Sequence, residues 1–81
     1  MSVRATVMGS GAWGTALAAL LAKKGHEVVL WCHEDAVARS IRDTGTNPYL
    51  EEVELPDSLR AVTAMDQAVA EAELVLSVSP S

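Results

Sequence analysis

Gly9-Ser10-Gly11-Ala12-Trp13-Gly14 is the stretch that decides how this chain is read. Its G-x-G-x-x-G spacing follows a short apolar run, Ala5-Thr6-Val7-Met8, and opens an amphipathic run from Trp13 to Lys24. A strand, a tight turn and a helix in that order are the context in which this spacing signifies a dinucleotide-binding fingerprint rather than a glycine-rich joint. Each glycine has its own expected reason. Gly9 turns the chain sharply out of the strand, Gly11 lets a diphosphate approach the backbone, and Gly14 lets the helix lie close against its strand. The N–H groups of the first helical turn have no intrahelical partners and carry the positive end of the helix dipole, which suits an anion.

Working outward, Val3 to Met8 reads as a buried strand of the kind that feeds a parallel sheet. Trp13, Leu17, Leu20 and Leu21 fall at helical spacing as the apolar stripe of a helix from about Ala12 to Lys24, with Ala16, Ala18 and Ala19 allowing close packing. Lys23 and Lys24 suit the last turn, and Gly25 is the expected stop. Glu27-Val28-Val29-Leu30-Trp31 is then a second strand, completing a βαβ unit. NAD sites usually place an acid about twenty residues beyond the glycines, at this strand end, to hold the ribose hydroxyls. Here the strand ends Trp31-Cys32-His33-Glu34, so the first acid, Glu34, comes late, and His33 is placed to stack on adenine or, protonated, to meet a 2′-phosphate. Both cofactors stay open, with the histidine weighing toward NADP or dual use.

Asp35 is the expected cap of a second helix that buries Val37, Ala38 and Ile41 and stops at Gly45. Asn47-Pro48-Tyr49-Leu50 breaks the helical period, and Glu51 to Asp57 reads as an acidic, solvated loop. Arg60-Ala61-Val62 is a third strand. Thr63-Ala64-Met65-Asp66 has the form of a capping motif, so a third helix is expected from about Ala64 to Glu71, burying Met65, Ala68 and Val69. Leu74 to Val78 is a fourth strand, pointing into Ser79-Pro80-Ser81.

Strands alternating with helices make an α/β fold with a parallel sheet. The Rossmann arrangement gives it the order 3-2-1-4, with a ligand crevice where the order reverses, between the glycine turn and Ser79-Pro80-Ser81. A complete sheet of this type has two more strands, so residues 1–81 are expected to be the amino-terminal half of a Rossmann domain, truncated before the sheet is complete and leaving the fourth strand an uncovered edge.

Composition narrows the function. Eighty-one residues make one small domain, too short for a cofactor domain plus a substrate domain. A hydrophobic content of 49% is high for so short a chain and suggests surface normally covered by further protein. The formal net charge of −5 argues against nucleic acid or an anionic membrane as partner. A single cysteine, Cys32, reads as a small strand-end residue in a chain fitted to a reducing cytosol. No apolar stretch approaches the roughly 18 residues of a membrane span, and no group of residues has metal-ligand spacing.

The segments Gly9-Ser10-Gly11-Ala12-Trp13-Gly14-Thr15-Ala16-Leu17-Ala18, Gly25-His26-Glu27-Val28-Val29-Leu30-Trp31, Asn47-Pro48-Tyr49-Leu50, Leu55-Pro56 and Pro80-Ser81 together resemble the amino-terminal part of bacterial NAD(P)-dependent glycerol-3-phosphate dehydrogenase. The resemblance covers nearly the whole chain. It implies a cytoplasmic enzyme, a homodimer at full length, that reduces dihydroxyacetone phosphate to sn-glycerol 3-phosphate with NADPH or NADH for phospholipid synthesis. By the family pattern Gly9, Ser10, Gly11, Ala12, Trp13 and Gly14 hold the cofactor, and His33 meets its adenosine end. Tyr49 matches the aromatic of an Asn-x-x-Tyr-Leu-Pro-Gly segment, and Pro80 a Pro-Ser pair. Glu51-Glu52 replace the usual Pro-Gly, and Ser79 stands where valine usually precedes Pro-Ser. The family's lysine general acid and phosphate-binding groups lie beyond residue 81, so this chain carries no catalytic residue and is expected to be inert alone. Two other readings compete: a sibling dehydrogenase of the ketopantoate or 6-phosphogluconate type, and a non-catalytic module that senses NAD(H).

Overall fold

The computed structural model describes residues 2–78 as four parallel strands and three helices. In chain order these are β1 (Arg4–Met8), α1 (Ala12–Lys23), β2 (Glu27–Trp31), α2 (Asp35–Thr44), β3 (Arg60–Val62), α3 (Met65–Val69) and β4 (Leu74–Ser77). The sheet order is β3-β2-β1-β4, the expected half of a Rossmann sheet. The central pair is in register from Arg4 against Glu27 to Met8 against Trp31, and β4 continues from Ala5 against Leu74 to Met8 against Ser77. The four carboxyl ends therefore sit near one level, and the turns that follow them share one edge of the sheet.

One face of the sheet packs against α1 and α2. Val7 of β1, Val28 and Leu30 of β2, and Ala61 of β3 form the core there with Ala18, Ala19 and Ala22 of α1 and Val37, Ala38 and Ile41 of α2. Leu55 and Leu59 complete it. The acidic loop is therefore only half solvated: its charges face outward while its Leu55 is buried, and Leu55 N–H donates to the Gly45 carbonyl at 2.8 Å. The other face carries α3, anchored by the buried Thr6 hydroxyl donating to the Ala68 carbonyl.

The helices depart from the expectations in instructive ways. α1 does not bury the stripe of large residues: Trp13 is 72% exposed and Leu20 51%. It buries Gly14, Thr15, Ala18, Ala19 and Ala22 instead. The cause is distance, since a Cβ on Gly14 would stand 1.9 Å from the Gly9 carbonyl oxygen. A helix held that close to the turn leaves room only for small side chains along its inner face. α2 starts one residue earlier than a cap at Asp35 would give: Glu34 is the N-cap, with no side-chain capping bond, and Asp35 is the first helical residue, where its charge still suits the dipole. α3 is only five residues long, its N-cap is Ala64 rather than Thr63, and of its apolar residues only Ala68 is buried. So short a helix presents one residue to the sheet, which leaves Met65 and Val69 outside. Leu74 and Val75 of the edge strand β4 also stand about half exposed.

Candidate functional site

At the carboxyl edge of the sheet a cleft of about 570 Å³ opens between the ends of β1, β2 and β4, a volume in the range of small-molecule sites. Its floor is Met8 and the turn Gly9 to Gly14, one wall is Trp31, His33 and Glu34 with Tyr49 above them, and the other is Ser77 and Val78. Thus the eight sequence-predicted residues that fall within the described chain, Gly9 to Gly14, His33 and Tyr49, line one cleft. Pro80 lies outside the described residues.

The backbone builds the floor. Gly9 N–H donates to the Trp31 carbonyl at 3.2 Å and Val78 N–H to the Met8 carbonyl at 3.0 Å, so the parallel pairing runs on past the strands into the cleft. Gly9 has φ +124°, and a Cβ there would lie 2.8 Å from the Val78 carbonyl oxygen, so a side chain is excluded by both conformation and space. Gly14 is fixed by its approach to Gly9. Gly11 is different: it lies at φ −69° and ψ −176°, ordinary extended backbone, and a Cβ there would meet no protein atom within 4 Å. Neither conformation nor space requires glycine at this position. The first intrahelical bond of α1 is Thr15 N–H to the Gly11 carbonyl at 3.0 Å, so the N–H groups of Ala12, Trp13 and Gly14 precede the helical ladder and carry the dipole's positive end at the cleft.

The walls are built from distant segments. The His33 ring meets the edge of Trp31 with centroids 4.2 Å apart, and the Trp31 indole N–H donates to the Thr63 carbonyl at 3.0 Å. The Tyr49 hydroxyl donates to a Glu34 carboxylate oxygen at 2.8 Å. That bond, and the negative charge behind it, raise the phenol's pKa above its ordinary value. Glu34, late by sequence count, nevertheless reaches the cleft wall, and it is the only acidic side chain among the described lining residues. Lysine and arginine are absent from them. Cys32 is buried beneath this wall, where desolvation raises its pKa, so it is packed as a small apolar residue.

One residue of the site was not singled out by sequence. Asn47 is fully buried, and its Nδ2 donates to the Ser10 carbonyl at 2.8 Å and to Thr15 Oγ1 at 2.6 Å. Its Oδ1 accepts the Tyr49 N–H at 2.8 Å. The position within an Asn-Pro turn announces a break in the helix, but nothing local announces partners 32 and 37 residues away. Among the described residues no group of three or more histidine, cysteine, aspartate or glutamate side chains is placed to hold a metal.

Residues 4–81 match the profile of the family described as NAD-dependent glycerol-3-phosphate dehydrogenase N-terminus. Proteins named glycerol-3-phosphate dehydrogenase (NAD(P)+) from Xanthomonas campestris pv. campestris (strain B100) and Stenotrophomonas maltophilia (strain K279a) are each 51% identical over 76 residues, 93% of this chain. The crystal structure of glycerol-3-phosphate dehydrogenase from Coxiella burnetii superposes with a TM-score of 0.89 at 33% identity, covering 99% of this chain and 25% of that one. The chain spans 22% of the length of the curated relatives it matches.

Proposed function

Because the chain belongs to the NAD-dependent glycerol-3-phosphate dehydrogenase family, we propose that it is the dinucleotide-holding portion of a cytoplasmic enzyme that reduces dihydroxyacetone phosphate to sn-glycerol 3-phosphate for phospholipid synthesis. NADPH or NADH is the cofactor, as the names of its relatives suggest. Family membership sets aside the sibling dehydrogenases.

The observation that carries this reading is Gly11. Gly9 and Gly14 are required by the protein's own packing, whereas Gly11 leaves a cradle that a methyl group would fill and that no protein atom needs. A diphosphate resting on the first-turn N–H groups of Ala12, Trp13 and Gly14 supplies the missing reason. Trp13 then flanks the cofactor at the cleft mouth, and His33 and Tyr49 line its adenosine end. Pro80 is included among the cofactor-binding residues by the family pattern alone.

When bound, the nicotinamide supplies the hydride. The share of this chain is positional: it holds the diphosphate and so fixes where the ring can reach. Reducing a ketone also requires a group to polarise and protonate the carbonyl. The described cleft offers no lysine or arginine for that or for the substrate phosphate. On this reading the 81-residue chain by itself is inert.

Titration followed by the fluorescence of Trp13 and Trp31 tests the proposal. Saturable quenching by NADH or NADPH below about 1 mM, the upper range of ordinary enzyme sites, is expected, with no turnover of dihydroxyacetone phosphate. Absence of saturable binding overturns the dinucleotide reading, and turnover overturns the inertness. The variant His33→Ala is expected to weaken NADPH more than NADH if the imidazole meets the 2′-phosphate; equal losses remove that role.

A further inference from the structure

Asn47 lies outside the fingerprint and does not line the cleft, yet its buried carboxamide is bonded to the back of the glycine turn. The Ser10 carbonyl accepts two donors from the interior, Asn47 Nδ2 at 2.8 Å and Thr15 Oγ1 at 3.2 Å. Asn47 also holds the Thr15 hydroxyl in place, donating to it at 2.6 Å, so the three groups form a closed cluster beneath the turn. The same side chain is tied to its own loop by Tyr49 N–H, and that loop is closed by Leu50 N–H donating to the Asn47 carbonyl at 2.8 Å. No buried side-chain nitrogen or oxygen among the described residues is left without a partner.

The electrostatic consequence concerns the anion site. A turn that holds a diphosphate must present N–H groups, and a carbonyl oxygen facing the same space would oppose the charge it binds. We infer that Asn47 is a positioning residue for the dinucleotide: its carboxamide, with the Thr15 hydroxyl, holds the Ser10 carbonyl on the interior side, so that the glycine turn offers the diphosphate donors only. The inference rests on the function proposed above. It predicts that Asn47 matters for ligands in proportion to their phosphate charge, which a general packing role would not produce.

Asn47→Asp, nearly identical in shape, tests it in the full chain with ADP-ribose and adenosine as probes. At pH 8 the carboxylate has no hydrogen to give the Ser10 carbonyl and, from 2.6 Å, draws the Thr15 hydroxyl hydrogen to itself, so that carbonyl is stripped of both donors and ADP-ribose is expected to bind about tenfold or more weakly than to wild type. Burial without a cation raises a carboxyl pKa, so near pH 5 the side chain regains a hydrogen and affinity is expected to return to within about threefold of wild type. The diphosphate keeps its charge across that interval. Adenosine, followed by chemical-shift titration, is expected to bind variant and wild type alike. Circular dichroism at both pH values monitors folding, and Thr15→Val, which removes the second donor to the same carbonyl without adding a charge, is expected to show a selective loss of ADP-ribose at both pH values; a loss confined to Asn47→Asp reports the added charge alone and overturns the inference. Unchanged ADP-ribose affinity, or equal losses for ADP-ribose and adenosine, overturns the inference. A wild-type chain that binds no ADP-ribose instead overturns the dinucleotide reading beneath it.

Discussion

Gly11→Ala is the substitution that separates folding from binding in this chain. Two small effects on stability oppose each other. Alanine restricts the unfolded chain, favouring the native state by about 0.4–1 kcal/mol where the backbone tolerates it, and φ −69° with ψ −176° does. Alanine is also a poorer N-cap than glycine, by a similar amount. With no protein atom within 4 Å of the new methyl, the net change is expected to stay within about 1 kcal/mol. Binding is another matter, because the methyl stands where the diphosphate is proposed to lie. Pushing that group off the first-turn N–H groups forfeits at least one charge-assisted bond of about 1.5–3 kcal/mol, or about 10- to 100-fold in affinity. Gly14→Ala behaves oppositely. To relieve a 1.9 Å approach to an ordinary contact of 3.4 Å, α1 must retreat by about 1.5 Å, the difference of the two. Overpacking of that kind costs about 1–3 kcal/mol and outweighs the roughly 1 kcal/mol that helix propensity returns. Urea unfolding followed by far-ultraviolet circular dichroism measures the stabilities, and NADH titration the affinities. Wild-type NADH affinity in Gly11→Ala, or a stability loss there as large as in Gly14→Ala, refutes the division of labour among the glycines.

Two ionisations give further tests. Tyr49 is the sole tyrosine, so ultraviolet difference absorbance reads it alone. Its hydrogen bond to Glu34, and then the carboxylate's charge, raise its pKa, and Glu34→Gln is expected to bring the midpoint back toward the ordinary phenol value; an unmoved midpoint contradicts the contact. Since the native value is the higher one, any stabilisation is present below the ordinary phenol pKa and is lost as pH rises through the raised one. Cys32 is likewise raised, by burial, against a smaller lowering from its polar surroundings and the charge of Arg42. The native state thus favours the protonated thiol, and its contribution fades only as pH climbs past the raised value. Labelling by an aromatic disulfide reagent is expected to be slow in buffer and fast in urea, whereas complete labelling of the native chain on mixing would place the thiol at the surface.

What could be read from sequence was whatever depended on near neighbours. Glu27–Trp31 and Arg60–Val62 form strands with the expected bounds, because short β-branched or apolar runs between turn signals leave little alternative. The order 3-2-1-4 followed from alternation and the fingerprint. The inner face of α1 was not legible by counting large apolar residues. Hydrophobic spacing finds a stripe, but which stripe turns inward depends on how near the helix lies, and that is set by a backbone contact between Gly9 and Gly14. The capping motif at Thr63 failed for a related reason. Its carbonyl already serves the Trp31 indole, and the chain enters the helix one residue later, at Ala64.

Glu34 and Asn47 show where local reading stops in the site itself. By sequence count Glu34 comes late for an acid at the end of β2; space brings it to the cleft because the chain turns between Trp31 and Asp35, and the Tyr49 hydroxyl meets it there. Tyr49 is in turn held by Asn47, whose other hydrogen bonds end on Ser10 and Thr15. A single turn, Asn47 to Leu50, thus touches both the floor of the cleft and the wall at the end of β2. The glycines make room for a dinucleotide, but room alone does not fix which backbone groups face it. That orientation comes from a segment more than thirty residues away, so a chain with an intact fingerprint and a disrupted Asn47 turn should fold its sheet and still hold a diphosphate poorly.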